Sequence, residues 1–218
     1  MAYDGFIQDS CFNVSLRPLA ISDHFLIKRW LTDPYIASLT FVVPGPEYRE
    51  IAKMSDQILD TYIESLIYDL NRTSFAILVN GKHVGNVGLK NCNLSEKYAE
   101  CFIEVGESGF RGLGVGSAAL TMVHEYAFSQ LGLEQIRLEV LEHNDPALHV
   151  YEKLGYQHTQ RTGWHFTEDG HYKQVLGMVL TRRDWFLRKL VVQFPSYIKL
   201  MSFTKFWKSW IDLGQQAA

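Results

Sequence analysis

Cysteine is scarce: Cys11, Cys92 and Cys101 are the three in 218 residues, and no two stand at a paired or metal-type spacing. That argues against a disulfide framework and a zinc site and for a reducing compartment, so a cytoplasmic protein is expected. A long uncharged apolar run is also lacking, so no segment reads as a membrane span. The opening stretch MAYDGFIQDS carries acids and no apolar centre, so it does not read as a secretory leader. Neither internal repeats nor low-complexity segments are present. Finally, the body lacks a basic excess. Residues 181–218 hold 7 Lys+Arg against 2 acids, which leaves 14 against 22 for residues 1–180. An acidic body without a basic stripe excludes nucleic acid as the expected partner, and the basic end is a region apart.

What is present suffices for one sizeable core, since 47% of the residues are hydrophobic. NVSLRPLA reads as a strand, and DHFLIKRWLTD as a helix that stops before Pro34. FVVPGPEYRE is a loop, and apolar residues then recur at helical spacing from Glu47 to about Asn71. SFAILVNGKHVGNVGLKNC is two strands joined at Asn80-Gly81, a strong hairpin signal. YAECFIEVGE is a further strand, and a helix from Val115 to Leu131 follows, with Gly132 at its C-terminal cap. EQIRLEVLE reads as a strand, DPALHVYEKLG as a short helix with Pro146 in its first turn, and HYKQVLGMVL as a closing strand after a polar turn at residues 168–170. The order predicts a mixed α/β fold: a mostly antiparallel sheet of six or seven strands, one βαβ crossover and about four helices.

The crossover holds GFRGLGVGSAAL, with Gly112, Gly114 and Gly116 at every second position. A strand that runs through glycines into a helix bares backbone N–H groups at the positive end of the helix dipole, which suits an anion. A nucleoside-triphosphate loop is excluded because no Lys precedes Ser117. A dinucleotide fingerprint needs glycine at position 117 and further βα units downstream, and neither is there. R-x-x-G-x-G, formed by Arg111, Gly114 and Gly116, fits, with Arg111 able to add a charge-assisted contact to a phosphate. A plain glycine-rich turn is the bland alternative.

At these residues the sequence resembles the GCN5-related N-acetyltransferases (GNAT), and within them the group of ribosomal-protein N-terminal and spermidine acetyltransferases. SLRPLAISDHFLIKRWLTDP is similar to that group's opening strand and helix, and AECFIEVGESGFRGLGVG to its cofactor strand and pyrophosphate loop. LEVLEHNDPALHVYEKLGY and DGHYKQVLGMVLTRRDW resemble its second cofactor strand and closing strand. The resemblance implies a GNAT fold over residues 1–190, acetyl-coenzyme A as donor, and a primary amine as acceptor, with residues 191–218 as an amphipathic aromatic tail. It implies that Ile103, Val105 and Gly106 on the cofactor strand contact the pantetheine, with the Val105 N–H on the thioester carbonyl as a small oxyanion hole. It assigns the pyrophosphate to Arg111, Gly112, Leu113, Gly114, Val115, Gly116 and Ser117, a further cofactor contact to Tyr151, and to Asn144 side-chain hydrogen bonds that hold the cofactor or the local loop. Tyr151, seven residues after Asn144, is the implied acid for the leaving sulfur.

For the base, Glu104 and Glu100 share one strand face by period two. Glu104 is first choice because it lies nearer the thioester end, and Glu100 is second; two solvated carboxylates are the alternative. The resemblance implies attack without a covalent enzyme intermediate, because none of the three cysteines sits at the transfer site in the family pattern; Cys101 faces away from Glu100 and Glu104. Glu142, His143 and Asp145 could line the acceptor mouth, and Trp30, Tyr48, Tyr62, Trp164 and Phe166 fall in segments that border it in the family. His124, His149 and His158 show no metal spacing. The acceptor stays open among a protein N-terminus, a polyamine, an aminoglycoside and a sugar amine. The rival class is a non-catalytic acyl-coenzyme A sensor. Residues 195–218 place Leu200, Phe203, Phe206, Trp207, Trp210 and Ile211 in one apolar arc, which packs on its own body, pairs with a second copy as a homodimer, or lies in a membrane interface.

Overall fold

The computed structural model describes residues 3–6, 12–39, 56–166 and 171–193. In chain order these form β1 (Tyr3–Phe6), β2 (Asn13–Pro18), α1 (His24–Leu31), α2 (Pro34–Leu39), α3 (Asp56–Tyr68), β3 (Thr73–Val79), β4 (Lys82–Asn93) and β5 (Tyr98–Glu104). Then come α4 (Val115–Glu125), β6 (Gln135–Leu141), α5 (Asp145–Leu154), β7 (Gln157–Phe166), β8 (Tyr172–Thr181) and α6 (Arg182–Gln193). The strands make one sheet in the order β1-β2-β3-β4-β5-β6-β8-β7. Every neighbouring pair is antiparallel except β5 and β6, which are parallel and joined through α4. The mixed, mostly antiparallel fold with one crossover is therefore the one expected from the sequence. It carries eight strands rather than six or seven, and six α-helices among the described residues rather than about four.

The extra elements have local causes. β1 is only four residues, YDGF, and lies at the sheet edge against β2, so its sequence shows no sustained alternation. Asp33-Pro34 both ends one helix and opens the next. The Thr32 hydroxyl closes α1 on the Lys28 carbonyl at 3.1 Å, and Asp33 Oδ1 accepts the Tyr35 N–H at 2.8 Å. Asp33 is thus the cap of α2, with Pro34 in its first turn, where a missing N–H costs nothing.

The hairpin falls where Asn80-Gly81 put it, with φ of 51° and 81°. Both residues are left-handed, as a two-residue turn matched to strand twist requires. Asn80 also ties the hairpin to β2: its Oδ1 accepts the Asn13 N–H at 3.0 Å, and its own N–H donates to the Asn13 carbonyl at 2.9 Å.

Helices cover both sheet faces. Leu19, Ile27 of α1 and Ile63 of α3 pack with Ala76 of β3, joined by Leu31, Ile67 and Leu78. On the opposite face, Val115, Ala119, Leu120, Met122 and Val123 of α4 are buried, the three- and four-residue spacing of a helix with one apolar stripe. The helix expected to run from Val115 to Leu131 loosens into a π turn at Tyr126–Gln130, and Gly132, at φ 65°, ends it. β4 is buried on both faces from His83 to Leu89 and is central.

The chain divides into two compact units, residues 1–182 and 183–218. In the second, the Lys189 ammonium lies 5.0 Å from the Trp185 ring centre within α6. The arc expected over residues 195–218, the loop at 41–50 with Tyr48, and the turn at 168–170 lie outside the described residues. No helix among the described residues is long and apolar enough to cross a membrane.

Candidate active site

β5 is paired on one side along its length and on the other for three residues. Against β4 it runs from Lys90↔Glu100 to Asn86↔Glu104, whereas against β6 the register is Tyr98↔Gln135, Ala99↔Ile136 and Glu100↔Arg137 alone. β6 continues to Leu141 in the company of β8. The two parallel strands therefore part after Glu100, and a cleft of about 770 Å³ opens beside the vacated edges.

The residues just after β5 are packed against α1. A side chain at Gly106 would run into the Trp30 indole, so only glycine lets that ring lie on the backbone. Trp30 Nε1 donates to Glu107 Oε1 at 3.2 Å, Arg29 pairs with the same carboxylate, and the Glu107 N–H donates to the Val84 carbonyl at 3.0 Å. Gly106, expected at the cofactor, thus has a structural contact of its own.

Past β5 the chain makes a 3₁₀ turn at Ser108–Phe110 and enters α4 through Gly112 and Gly114, at φ 74° and 81°. Gly114 is the N-cap of α4 and no side chain caps that end, so the first-turn N–H groups lack helix partners. Gly112, Gly114, Gly116 and Ser117 line the cleft together with Ile103 and Val105. Leu113 is exposed beside them, and Val115 points into the core at 0% exposure. Gly116 is informative. A Cβ there would meet Ile103 Cδ1 at 3.6 Å and Val105 Cγ2 at 3.8 Å, ordinary contacts. The fold does not require glycine at this position, but a group running close along the cleft would.

Arg111 and Asn144 line the cleft too, and the Arg111 side chain turns back from the loop. Its Nε donates to the Val105 carbonyl at 2.9 Å and its Nη2 to the Gly106 carbonyl at 2.7 Å. Asn144 is likewise engaged locally. Its Oδ1 accepts the Ala147 N–H at 3.3 Å, capping α5, and its Nδ2 donates to the Leu39 carbonyl at 3.2 Å.

α5 carries Tyr151. Asn144 and Pro146 start this helix and Gly155, left-handed at φ 97°, stops it. Tyr151 is 8% exposed, sits edge-on to Tyr156 at 5.6 Å between ring centres, and lines the cleft. Burial raises its hydroxyl well above the usual phenol, and the Cys101 thiol raises it further, so the proton stays on. Behind it, Tyr156 OH and His124 Nε2 lie 2.8 Å apart in the core. Burial lowers His124 to about 3, so this imidazole is neutral. His124 and Tyr156 escaped the sequence reading as a pair, because 32 residues separate two positions that each look like ordinary helix or loop residues.

Glu104 and Glu100 sit on one face of β5, and both line the cleft, but their surroundings differ. Burial pushes the Glu104 carboxyl up to about 7; Arg111 opposes this and Asp33 adds to it. Glu100 is half-buried and pairs with Lys90 Nζ at 3.5 Å. Cys101, on the alternate face, is pushed by burial up to about 12. Of the cluster after β6, Asp145 lines the cleft, Glu142 accepts the Gln174 N–H at 3.2 Å, and His143 Nε2 lies 3.2 Å from the Ser38 carbonyl. His149 lines the cleft and His158 pairs with Glu152 at 3.0 Å. Trp164 on β7 is exposed, and Tyr62 and Phe166 fall on α3 and β7. Tyr35, Ile36 and Leu39 of α2 line the cleft unforeseen. Among the described residues no group of His, Cys, Asp and Glu could hold a metal ion.

The family model of the acetyltransferase (GNAT) domain matches residues 13–157. The spermidine N(1)-acetyltransferase of Escherichia coli (strain K12) is 24% identical over 176 residues, 81% of this chain and 90% of that protein. A Bacillus subtilis (strain 168) protein of ribosomal N-acetyltransferase type is 25% identical over 133 residues, 58% of this chain and 72% of its own. The solved structure of Vibrio cholerae spermidine N-acetyltransferase in complex with CoA and spermine is similar in fold, with TM-score 0.66 and 24% identity over 79% of this chain and 98% of that one. The glycine loop, the parted parallel strands and the match along residues 13–157 agree: the chain belongs to the GNAT acetyltransferase family, enzymes whose acyl donor is acetyl-coenzyme A.

Proposed function

We propose that this protein transfers the acetyl group of acetyl-coenzyme A directly to a primary amine while both are bound. The observation that carries the reading is the parting of β5 and β6 after Glu100, because it leaves an unpaired strand edge between a raised carboxyl and a protonated phenol. An extended amide-bearing arm can pair with such an edge as a strand would. Ile103 and Val105 then form the contact edge, with the Val105 N–H facing the thioester carbonyl. The amides from Gly112 to Ser117 hold the diphosphate at the start of α4. Gly116 leaves room for it.

Acetyl transfer needs a neutral amine and a protonated leaving sulfur. Glu104, poised at about 7, takes the amine proton, since a base works best near the ambient pH. Tyr151 gives its proton to the departing sulfur. Cys101, the cysteine that lines the cleft, is not suited to accept the acetyl group itself, because its thiol at about 12 is not ionised at neutral pH. The cleft lining sets the carboxyls of Glu100, Glu104, Glu139 and Asp145 against the cations Lys90, Arg111 and Lys153, a slight acidic balance that favours a cationic acceptor. Polyamines are first in the acceptor panel, as the name of the Escherichia coli relative suggests, and peptides with a free N-terminus second. The test is to incubate the protein with acetyl-coenzyme A and that panel, follow thiol release, and identify products by mass spectrometry. Thiol release with a mass gain on one amine class is expected; coenzyme A binding without thiol release for every amine would instead establish a sensor.

A further inference from the structure

Among the described residues, one buried side-chain polar atom makes no regular hydrogen bond: Nδ1 of His83, on β4. An orphan of this kind needs a reason. The other ring nitrogen supplies half of it. Nε2 lies 3.0 Å from the Gly85 carbonyl and 3.0 Å from Asn86 Oδ1, and a backbone carbonyl only accepts, so Nε2 carries a proton. Nδ1 then stands 3.3 Å from Asp23 Oδ1. Burial raises the Asp23 carboxyl, but two Arg17 contacts at 2.7 Å, the Ala20 N–H at 2.9 Å and His83 itself bring it below its ordinary value, so it is a carboxylate. A ring protonated at Nε2 alone would aim the Nδ1 lone pair at that carboxylate. A second proton turns the same approach into a charged attraction. Elsewhere the ring meets Trp30 edge-to-face at 5.0 Å between centres, and the charges beyond that indole, Glu107 with Arg29 and Lys82, pair among themselves.

His83 sits where β4 changes register. Ile77 pairs with Gly85 but Leu78 with His83, so Val84 is an extra residue, and its carbonyl accepts the Glu107 N–H at 3.0 Å. This bulge presses on the end of β5. A Cβ on Gly85 would overlap the Glu104 carbonyl and reach Val105 Cα at 3.0 Å, and Asn86 pairs with Glu104 in the ladder. The imidazole thus bonds both residues that back the Glu104–Val105 peptide, and it touches the indole on which Gly106 lies. We propose that His83 is a positioning residue for acetyl transfer: doubly protonated between Asp23 and the β4 bulge, its imidazolium fixes the peptide that carries the Glu104 side chain and the Val105 N–H. The proposal rests on the transferase reading above. It gives the buried Arg17, Asp23 and His83 cluster a task at a site that none of the three lines.

Two measurements on the full chain test this. Heteronuclear NMR of the wild type from about pH 5 to 8 reads the two His83 ring nitrogens, and needs no variant. Both carry protons at the acidic end. Alongside, kcat of the wild type is divided at each pH by that of His83→Gln, so that the ionisation of Glu104 divides out. The new amide can still donate to the Gly85 carbonyl but brings no charge to Asp23. Wherever both nitrogens are protonated the ratio is about tenfold, the scale of a slightly misplaced catalytic group, with acetyl-coenzyme A affinity by calorimetry within about twofold. Where Nδ1 has lost its proton the ratio falls toward one. An Nδ1 without a proton over the whole range would overturn the charged contact. A ratio near one while both nitrogens are protonated, or still tenfold after Nδ1 has lost its proton, would make His83 a structural tie and overturn the positioning role. Should the wild-type chain bind acetyl-coenzyme A and acetylate no amine, the transferase reading itself fails, and this role with it.

Discussion

The two halves of β5 are made of similar residues and do different work. In its first half, Tyr98 and Glu100 are paired on both sides, and Glu100 faces Lys90 across a partly exposed surface. In its second half, Cys101 to Glu104 are paired with β4 alone, and burial beside the cleft raises Glu104 to about 7. The same side chain four residues along one strand face is a partly exposed ion-pair partner in one place and a buried carboxyl that holds its proton to about pH 7 in the other. What differs is the neighbour on the β6 side. A completed ladder hides backbone groups and leaves the carboxyl to solvent, whereas a missing strand makes a recess that takes water away from it.

The contrast can be broken by mutation. The largest effect is expected at the open end: Glu104→Gln lowers kcat/KM by about 10²–10³-fold and removes the acidic limb near pH 7 from the rate profile, as removal of a general base does. The same change has a stability signature. A carboxyl whose folded pKa is raised holds its proton longer folded than unfolded, so stability falls as pH rises from the ordinary carboxylate value toward about 7. Glu104→Gln therefore raises Tm relative to wild type at pH 8, and the difference vanishes near pH 4; equal melting curves at both pH values would remove the poised-base argument. Next, Tyr151→Phe lowers kcat about 10²-fold with acetyl-coenzyme A affinity little changed, read by steady-state kinetics and calorimetry.

A smaller effect is expected at Gly116→Ala. The added methyl finds only ordinary contacts with Ile103 and Val105, so Tm holds while acetyl-coenzyme A affinity by calorimetry falls about tenfold. Loss of stability without loss of affinity would mean that the glycine serves the fold. The smallest effect belongs to the closed end. Glu100→Gln breaks a partly exposed pair with Lys90, an interaction worth about 0.2–1 kcal/mol, and changes kcat/KM by no more than about threefold. A loss at Glu100 as large as at Glu104 would reverse their ranking.

Much of the architecture was legible from local chemistry. Asn80-Gly81 marked its hairpin because few other residues accept two left-handed positions in succession. Asn144, Pro146 and Gly155 bounded α5 by side-chain capping, a ready-made φ and a left-handed stop. Three glycines before an apolar helix pointed to a backbone that something approaches. Other features were hidden for equally local reasons. Asp33-Pro34 reads as a stop, and nothing in it says that a new helix starts at once. β1 is too short for a period to emerge. The side chain of Arg111 resembles a phosphate ligand in sequence, but carbonyls ending β5 lie within its reach and compete for its fork of donors.

By itself the sequence determined what is read over a few neighbouring residues: where strands turn, where helices are capped, which positions carry carboxyls and phenols, and where a Cβ is missing. Tertiary structure alone decided which of those groups are deprived of water and which are spoken for. Glu104 and Glu100 share a strand face in the sequence, and only the parting of β6 from β5 separates their surroundings; likewise only the fold shows the Arg111 side chain bonded to the Val105 and Gly106 carbonyls and that of Asn144 to the Leu39 carbonyl. The reason is that propensity, capping and turn chemistry act between residues close in the chain, whereas desolvation and long-range hydrogen bonding depend on what the fold brings alongside.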